Sequence, residues 1–147
     1  MSRIGQNEFR RDSFAGGLLL AIGVLTLGTA VYFLAIRPPM LPEDQRFTGV
    51  AASAVSPQMA EWLGIVFHTW GGFMAGFAIL LLGIGAYMMT SRSIFLRWGI
   101  AIGVVFAFGR FLASNLALRS DFLPFIVAIT ALAVIVAVRL IAVYDRN

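Results

Sequence analysis

The chain has 147 residues, of which 60% are apolar and only 12% charged, a composition that excludes an ordinary water-soluble globular domain. It contains no cysteine and a single histidine, which excludes disulfides, thiolate metal sites, iron–sulfur clusters and a haem held by two histidines of one chain. The net charge of +4 comes from eleven basic residues, all arginine, without the basic run that would indicate nucleic-acid binding. We therefore expect a membrane protein.

The first predicted element is an apolar helix over residues 14–36, which follows a polar and charged segment. As an α-helix it is about 34 Å long, enough to cross a hydrocarbon core of about 30 Å with some tilt. A cleaved signal peptide is the alternative interpretation. We reject it because the apolar run is too long and is followed by Arg37-Pro38-Pro39 rather than by a small-residue cleavage site.

A loop is predicted over residues 37–56, where three prolines within five residues exclude a helix. The second helix is predicted over 57–89, because Ser56-Pro57 is a favourable start for a helix. This helix is longer than a membrane requires, so we expect its first turns to lie in the outer interface. Two further apolar helices are predicted over 96–118 and 122–143.

The arginines indicate the orientation of these spans. Seven of them adjoin the span ends on the side of the termini and three adjoin the opposite ends, and cytoplasmic segments carry the excess of basic residues. The sequence therefore predicts an all-α membrane protein, a four-transmembrane-helix bundle with both termini cytoplasmic. We expect one domain over residues 1–147, multi-pass in the bacterial inner (cytoplasmic) membrane, with an extracytoplasmic loop and with membrane lipids around it.

Small residues predict where helices meet. The pairs Gly72 with Gly76 and Gly99 with Gly103 form GxxxG patterns, which let backbones approach closely in lipid. Packing within the bundle is one interpretation of these four positions. Contact with a second copy, or with a partner in a larger membrane complex, is the other.

Polar residues inside the spans are the candidate site. Arg110 lies near the middle of the third span, where a charged arginine facing lipid costs about 2.5–3.5 kcal/mol. Glu61 and His68 share a face of the second helix, and the antiparallel arrangement predicts similar depths for His68 and Arg110. We therefore expect a polar pocket that opens outward, and its remaining members are Ser114, Asn115 and Trp70.

Other interpretations of these residues stay open. One alternative is that His68 only makes a structural hydrogen bond between helices. Another is that Arg110 forms a clamp that fixes the register of the helices. Arg110 can also extend to the headgroups, and Glu61 can lie solvated in the interface. His68 and Glu61 supply two metal ligands, fewer than a metal site needs, and no hydrolase or nucleotide-binding motif occurs. We therefore expect no catalytic residues, no metal and no cofactor.

Three short segments stand out within the overall plan of the chain, which are WGGFMAGF at 70–77, FGRFL at 108–112 and RSDFLP at 119–124. In this plan and these segments the chain resembles small uncharacterised bacterial four-helix inner-membrane families related to DoxX-like proteins. The resemblance implies the four-helix fold and no assigned activity.

Three functions are compatible with these features. The first is a non-enzymatic protein that binds a lipid or a small amphipathic or anionic ligand in the polar pocket, with Arg110 against the polar end of the ligand. The second is an accessory subunit of a respiratory, photosynthetic or transport complex. The third is a small oligomeric transporter or proton-conducting protein, although four helices are few for alternating access.

Overall fold

A computed structural model of the chain describes residues 13–89 and 94–142. These residues form no strand, and their helices are α1 (Ser13–Val31), α2 (Pro42–Thr48), α3 (Pro57–Met88), α4 (Ile94–Leu118) and α5 (Leu123–Ala142). A π-helical turn at Tyr32–Ile36 extends α1, and a 3₁₀ turn covers Ala52–Ala54. Four helices, α1 with its extension, α3, α4 and α5, are long and apolar enough to cross a membrane. This confirms the predicted all-α bundle of four transmembrane helices.

The four spans alternate in direction, so residues 13 and 142 lie on one side of the bundle and α2 lies on the other. We call these the terminal side and the loop side. The spans begin and end within a few residues of the predicted bounds. The first span ends in a π-helical turn, closed by the Arg37 N–H, which donates to the Tyr32 carbonyl at 2.8 Å. Arg37 is then extended, as expected for a residue before proline.

The segment at 37–56 contains a helix, so the prediction that its prolines exclude helix was wrong. Pro42 lies in the first turn of α2. A backbone N–H in this turn has no acceptor within the helix, so proline loses no hydrogen bond there. The Asp44 Oδ2 accepts a hydrogen bond from the Leu41 N–H at 2.9 Å and thereby satisfies the start of the helix. Gly49, with φ of 70°, ends the helix in the left-handed conformation that glycine adopts without strain.

The helices pack mainly as two hairpins. α1 packs on α3, α4 packs on α5, and α1 also contacts α5, which places the spans in the spatial order α3, α1, α5, α4. α3 and α4 meet through the rings of Phe77 and Phe108, whose centroids lie 6.2 Å apart. The core is mainly aliphatic, with Phe108 as its buried aromatic residue among those described. Its largest fully buried side chains are Leu19, Ile22, Val104, Ile129, Val136 and Leu140.

Glycines determine how closely α1 and α3 approach. A Cβ atom at Gly16 would lie 2.8 Å from the Gly85 carbonyl oxygen, and one at Gly71 would lie 2.8 Å from Cγ of Leu34. A Cβ atom at Gly23 would lie 2.9 Å from Leu82. At Gly16 the obstacle is backbone, which can move only with its helix, and at Gly71 and Gly23 it is a leucine side chain. These glycines therefore allow the close approach of α1 and α3.

The four glycines of the GxxxG patterns lie elsewhere. Gly72, Gly76, Gly99 and Gly103 are exposed, and a Cβ atom at any of them would have no atom within 4 Å. None of them mediates packing between helices of this chain, because α3 and α4 turn these faces away from α1 and α5. The interpretation of packing within the bundle is not supported at these four positions, and contact with another polypeptide stays a prediction.

Candidate functional site

The contact between Phe77 and Phe108 provides a common depth for α3 and α4. Leu118, the last residue of α4, lies about 15 Å from Phe108 along the helix, at a rise of about 1.5 Å per residue. A hydrocarbon core is about 30 Å thick. The two rings therefore lie near the middle of the bilayer.

Arg110 lies about 3 Å from this midplane, toward the loop side. Its side chain is exposed on the outer surface of the bundle. The ion pairs among the described residues are Arg37 with Asp44 and Arg46 with Asp121, so Arg110 has no ionic partner in the part of the chain that the structure describes. A positive charge at mid-membrane thus faces the surroundings of the chain.

His68 and Glu61 lie at other depths. His68 is about 13 Å from the midplane and Glu61 about 24 Å, both toward the loop side. The expectation that His68 and Arg110 share a depth therefore fails by about 10 Å. The reason is that α3 has 32 residues and extends beyond the membrane on the loop side, where the exposed Glu61 lies.

The other predicted members of the pocket are engaged locally or face outward. The Ser114 hydroxyl donates to the Arg110 carbonyl at 3.1 Å, and the Asn115 amide donates to the Phe111 carbonyl at 2.9 Å. Both bonds stay within α4, and Trp70 is exposed on α3. The single chain therefore does not enclose these side chains in one pocket.

The exposed residues instead form two open faces along the bundle. The Arg110 face follows one ridge of α4 at spacings of three and four residues, and it consists of Gly99, Gly103, Phe106, Arg110 and Ala113, all exposed. The α3 glycine face consists of Gly72, Gly76 and Gly83, all exposed. Beside it runs a shallow apolar groove lined by Thr69, Phe73, Phe77 and Leu80. Small residues next to larger ones give both faces a shape that a further helix can fit.

A second group of polar residues lies at the loop side, where the sequence predicted only a stiff loop. The Arg37 guanidinium donates to Asp44 Oδ2 at 2.7 Å and stacks 3.4 Å from the ring centroid of Phe67. Its side chain is 6% exposed and that of Asp44 is 18% exposed. A carboxylate and an aromatic face together compensate the burial of this cation.

α2 is also attached to the turn between α4 and α5. Glu43 is buried and accepts a hydrogen bond from the Ser120 hydroxyl at 3.2 Å. Arg46 and Asp121 form an exposed ion pair at 2.7 Å. The loop is therefore a folded cap that joins the two hairpins. Its sequence signals are Pro42 and Asp44 at the start of α2 and Gly49 at its end.

A cleft lies between this cap and α3. Its wall is mainly apolar, with Asp44 at one edge, and it includes Met40, Val50, Val55, Met59, Leu63 and Phe67. In the described ranges no group of three metal-ligating side chains occurs. The cap is thus a structural element with an apolar cleft, and the chain's exposed charge at mid-membrane depth lies on α4.

We expect Ser120→Ala to destabilise the cap. The substitution leaves the buried Glu43 carboxylate without the hydroxyl that donates to it, and an unsatisfied buried acceptor costs about 1–3 kcal/mol. Unfolding of the purified protein in detergent measures the difference. Ser114→Ala is the control, because Ser114 bonds only to its own helix, and an equal effect of both substitutions would contradict the prediction.

Comparison with known proteins adds no relative. No protein-family model, no curated protein and no solved structure matches the chain. The resemblance to DoxX-like families stays a prediction.

Proposed function

We propose that the protein is a non-enzymatic subunit of a larger membrane assembly and that it docks through the Arg110 face and the α3 glycine face. The observation that carries the proposal is the exposed Arg110 close to the bilayer midplane. Facing acyl chains there costs about 2.5–3.5 kcal/mol. A neighbouring protein that covers α4 removes this cost.

The arrangement of the helices supports the proposal. α3 packs mainly on α1 and α4 mainly on α5, and α3 and α4 meet through Phe77 and Phe108. Each of the two helices also has an exposed face that points away from the other spans. Both faces carry glycines with open space around them. In lipid, close packing on small residues replaces the hydrophobic force that drives association in water.

A ligand site inside the bundle receives less support. The residues predicted to form it lie at different depths, and the side chains of Glu61, His68 and Arg110 are exposed on the outside. A pocket needs convergent polar groups within a concave surface. The folded cap, by contrast, carries the exposed ion pair of Arg46 and Asp121 on the loop side, where a docked partner could contact it.

Extraction from native membranes in mild detergent tests the proposal. We expect a stoichiometric partner with the wild-type chain, and we expect Gly103→Leu to lose it, because leucine fills the space on the Arg110 face. Gly28→Leu is the matched control, since Gly28 is also exposed with nothing within 4 Å but lies on α1. Recovery of the wild-type chain alone, as a monomer or homo-oligomer, would refute the proposal.

A further inference from the structure

We infer that the partner of the Arg110 face is a transmembrane helix of a different protein that carries an aspartate or glutamate near the middle of the bilayer. The inference rests on the proposed function for the existence of a partner. It adds the chemistry by which that partner is recognised.

The guanidinium of Arg110 requires an acceptor. Arginine stays charged in proteins and presents five N–H donors. Among the described residues, none accepts from these donors, since the Ser114 hydroxyl bonds to the Arg110 backbone carbonyl instead. The countercharge must therefore come from outside this part of the chain.

The headgroups on the loop side are a poor source for it. Side chains on an α-helix lean toward the N-terminus of the helix, and α4 begins on the terminal side. The Cα–Cβ bond of Arg110 consequently points toward the midplane and away from the nearer headgroups. An acceptor at mid-membrane depth satisfies this direction better than a phosphate at the surface.

The described acidic residues of this chain lie too far away. Glu43, Asp44 and Asp121 belong to the cap or to the turn beyond α4, and each contacts a residue there. Glu61 is about 21 Å from Arg110 along the membrane normal, more than the two extended side chains can bridge. No described carboxylate therefore reaches the guanidinium.

A second copy of the chain also has no described carboxylate at the depth of Arg110. Copies of one chain insert with the same orientation, so symmetric association brings equal depths together. In a two-fold contact Arg110 would meet the Arg110 face of its neighbour, which adds a second positive charge. In a head-to-tail contact it would meet the α3 glycine face, whose described residues include no acid at this depth. Charge complementarity favours a different chain with a carboxylate at this depth.

The Arg110 face also restricts the shape of the partner. Gly103 lies two turns from Arg110 on the terminal side, and Ala113 lies one turn away on the loop side. These small residues let a partner helix approach closely on both sides of the charge. A helix with small residues around its acid fits this ridge better than one with bulky neighbours.

Synthetic transmembrane peptides test the inference directly. The purified full chain, labelled with a donor dye, is placed in neutral phosphatidylcholine liposomes with acceptor-labelled peptides of leucine and alanine. One peptide carries a single aspartate at its centre and the matched peptide carries leucine there. We expect energy transfer to report about 3- to 30-fold tighter association with the aspartate peptide, in the range measured for polar contacts between membrane helices.

Two variants identify the residue responsible. Arg110→Gln should remove the preference for the aspartate peptide, whereas Arg119→Gln, at the loop-side end of α4, should retain it. Circular dichroism and gel filtration establish that both variants are folded. Arg110→Lys should keep part of the preference because it keeps the charge.

Each alternative result overturns the inference. Equal association of both peptides, or a preference that survives Arg110→Gln, would show that the face does not select an acid. Self-association of the chain that excludes the aspartate peptide would favour a second copy. A preference abolished by phosphatidylglycerol, an anionic lipid, would assign Arg110 to headgroups. The experiment adds a synthetic peptide and does not need a native partner. It therefore tests the preference of Arg110 for an acid even if native extraction yields no partner and the proposed function fails.

Discussion

Gly16→Ala is expected to lower the free energy of unfolding by about 1–3 kcal/mol, the range for overpacking a tight contact. The added Cβ atom would lie 2.8 Å from the Gly85 carbonyl oxygen and 2.8 Å from Cγ of Met89. The methionine side chain can move, but a backbone oxygen can move only with its helix. α1 and α3 would therefore have to move apart at this contact.

Gly17→Ala is the matched control one residue away. A Cβ atom at Gly17 would have no atom within 4 Å, and alanine exceeds glycine in helix propensity by up to about 1 kcal/mol. The two substitutions should therefore shift stability in opposite directions. Unfolding in a graded series of denaturing detergent, followed by circular dichroism, measures both. A neutral or stabilising Gly16→Ala would mean that α1 and α3 are farther apart than the structure places them.

Arg37→Gln is expected to destabilise the cap by about 3 kcal/mol or more, as when one member of a buried ion pair is removed. The change leaves the Asp44 carboxylate with the Leu41 N–H but without its countercharge. It also removes the cation from the face of Phe67. The start of α2 and the attachment of residue 37 to α3 should loosen together.

Arg46→Gln is the matched control for Arg37→Gln. Arg46 also forms an ion pair at 2.7 Å, but its side chain is 53% exposed and that of Asp121 is 61% exposed. Exposed pairs contribute less than about 1 kcal/mol. Limited proteolysis of residues 37–56, together with the unfolding midpoint, distinguishes the two. Equal protease sensitivity in both variants would count against a buried role for Arg37.

The spans were predictable because membrane crossing depends on the length and polarity of a segment, which are local properties. The apolar run at 14–36 and the start at Ser56-Pro57 are examples. α2 was missed because prolines were interpreted as helix breakers along the whole loop. Only Pro42 belongs to α2, and it lies in the first turn, where proline is compatible with a helix.

The glycines show why helix contacts were harder to predict from the sequence than the spans were. The GxxxG pattern selected exposed positions, whereas α1 packs on α3 through Gly16 and Gly23 on one helix and Gly71 and Gly85 on the other. These pairs are spaced by multiples of seven residues, the repeat of a left-handed helix crossing. Sequence periodicity alone does not say which of two small-residue faces meets a neighbour.

The sequence identified Arg110 as a residue of the candidate site, but it did not predict how Arg110 lies relative to the other predicted members. Arg110 was identified from the cost of a charge at mid-membrane depth. Its relation to His68 depends on the relative depth of α3 and α4, which follows from the tertiary contact of Phe77 with Phe108. No local pattern in the sequence contains that register.

The pairing of α1 with α3 and of α4 with α5 has a consequence for biogenesis. Each hairpin joins spans that follow one another along the chain, so the first hairpin can insert and close while the ribosome is still making the second. The bonds from α2 to Ser120 and Asp121 can form only after the turn before α5 has emerged. The cap therefore closes later than the first hairpin, once α4 and the turn that follows it have been made.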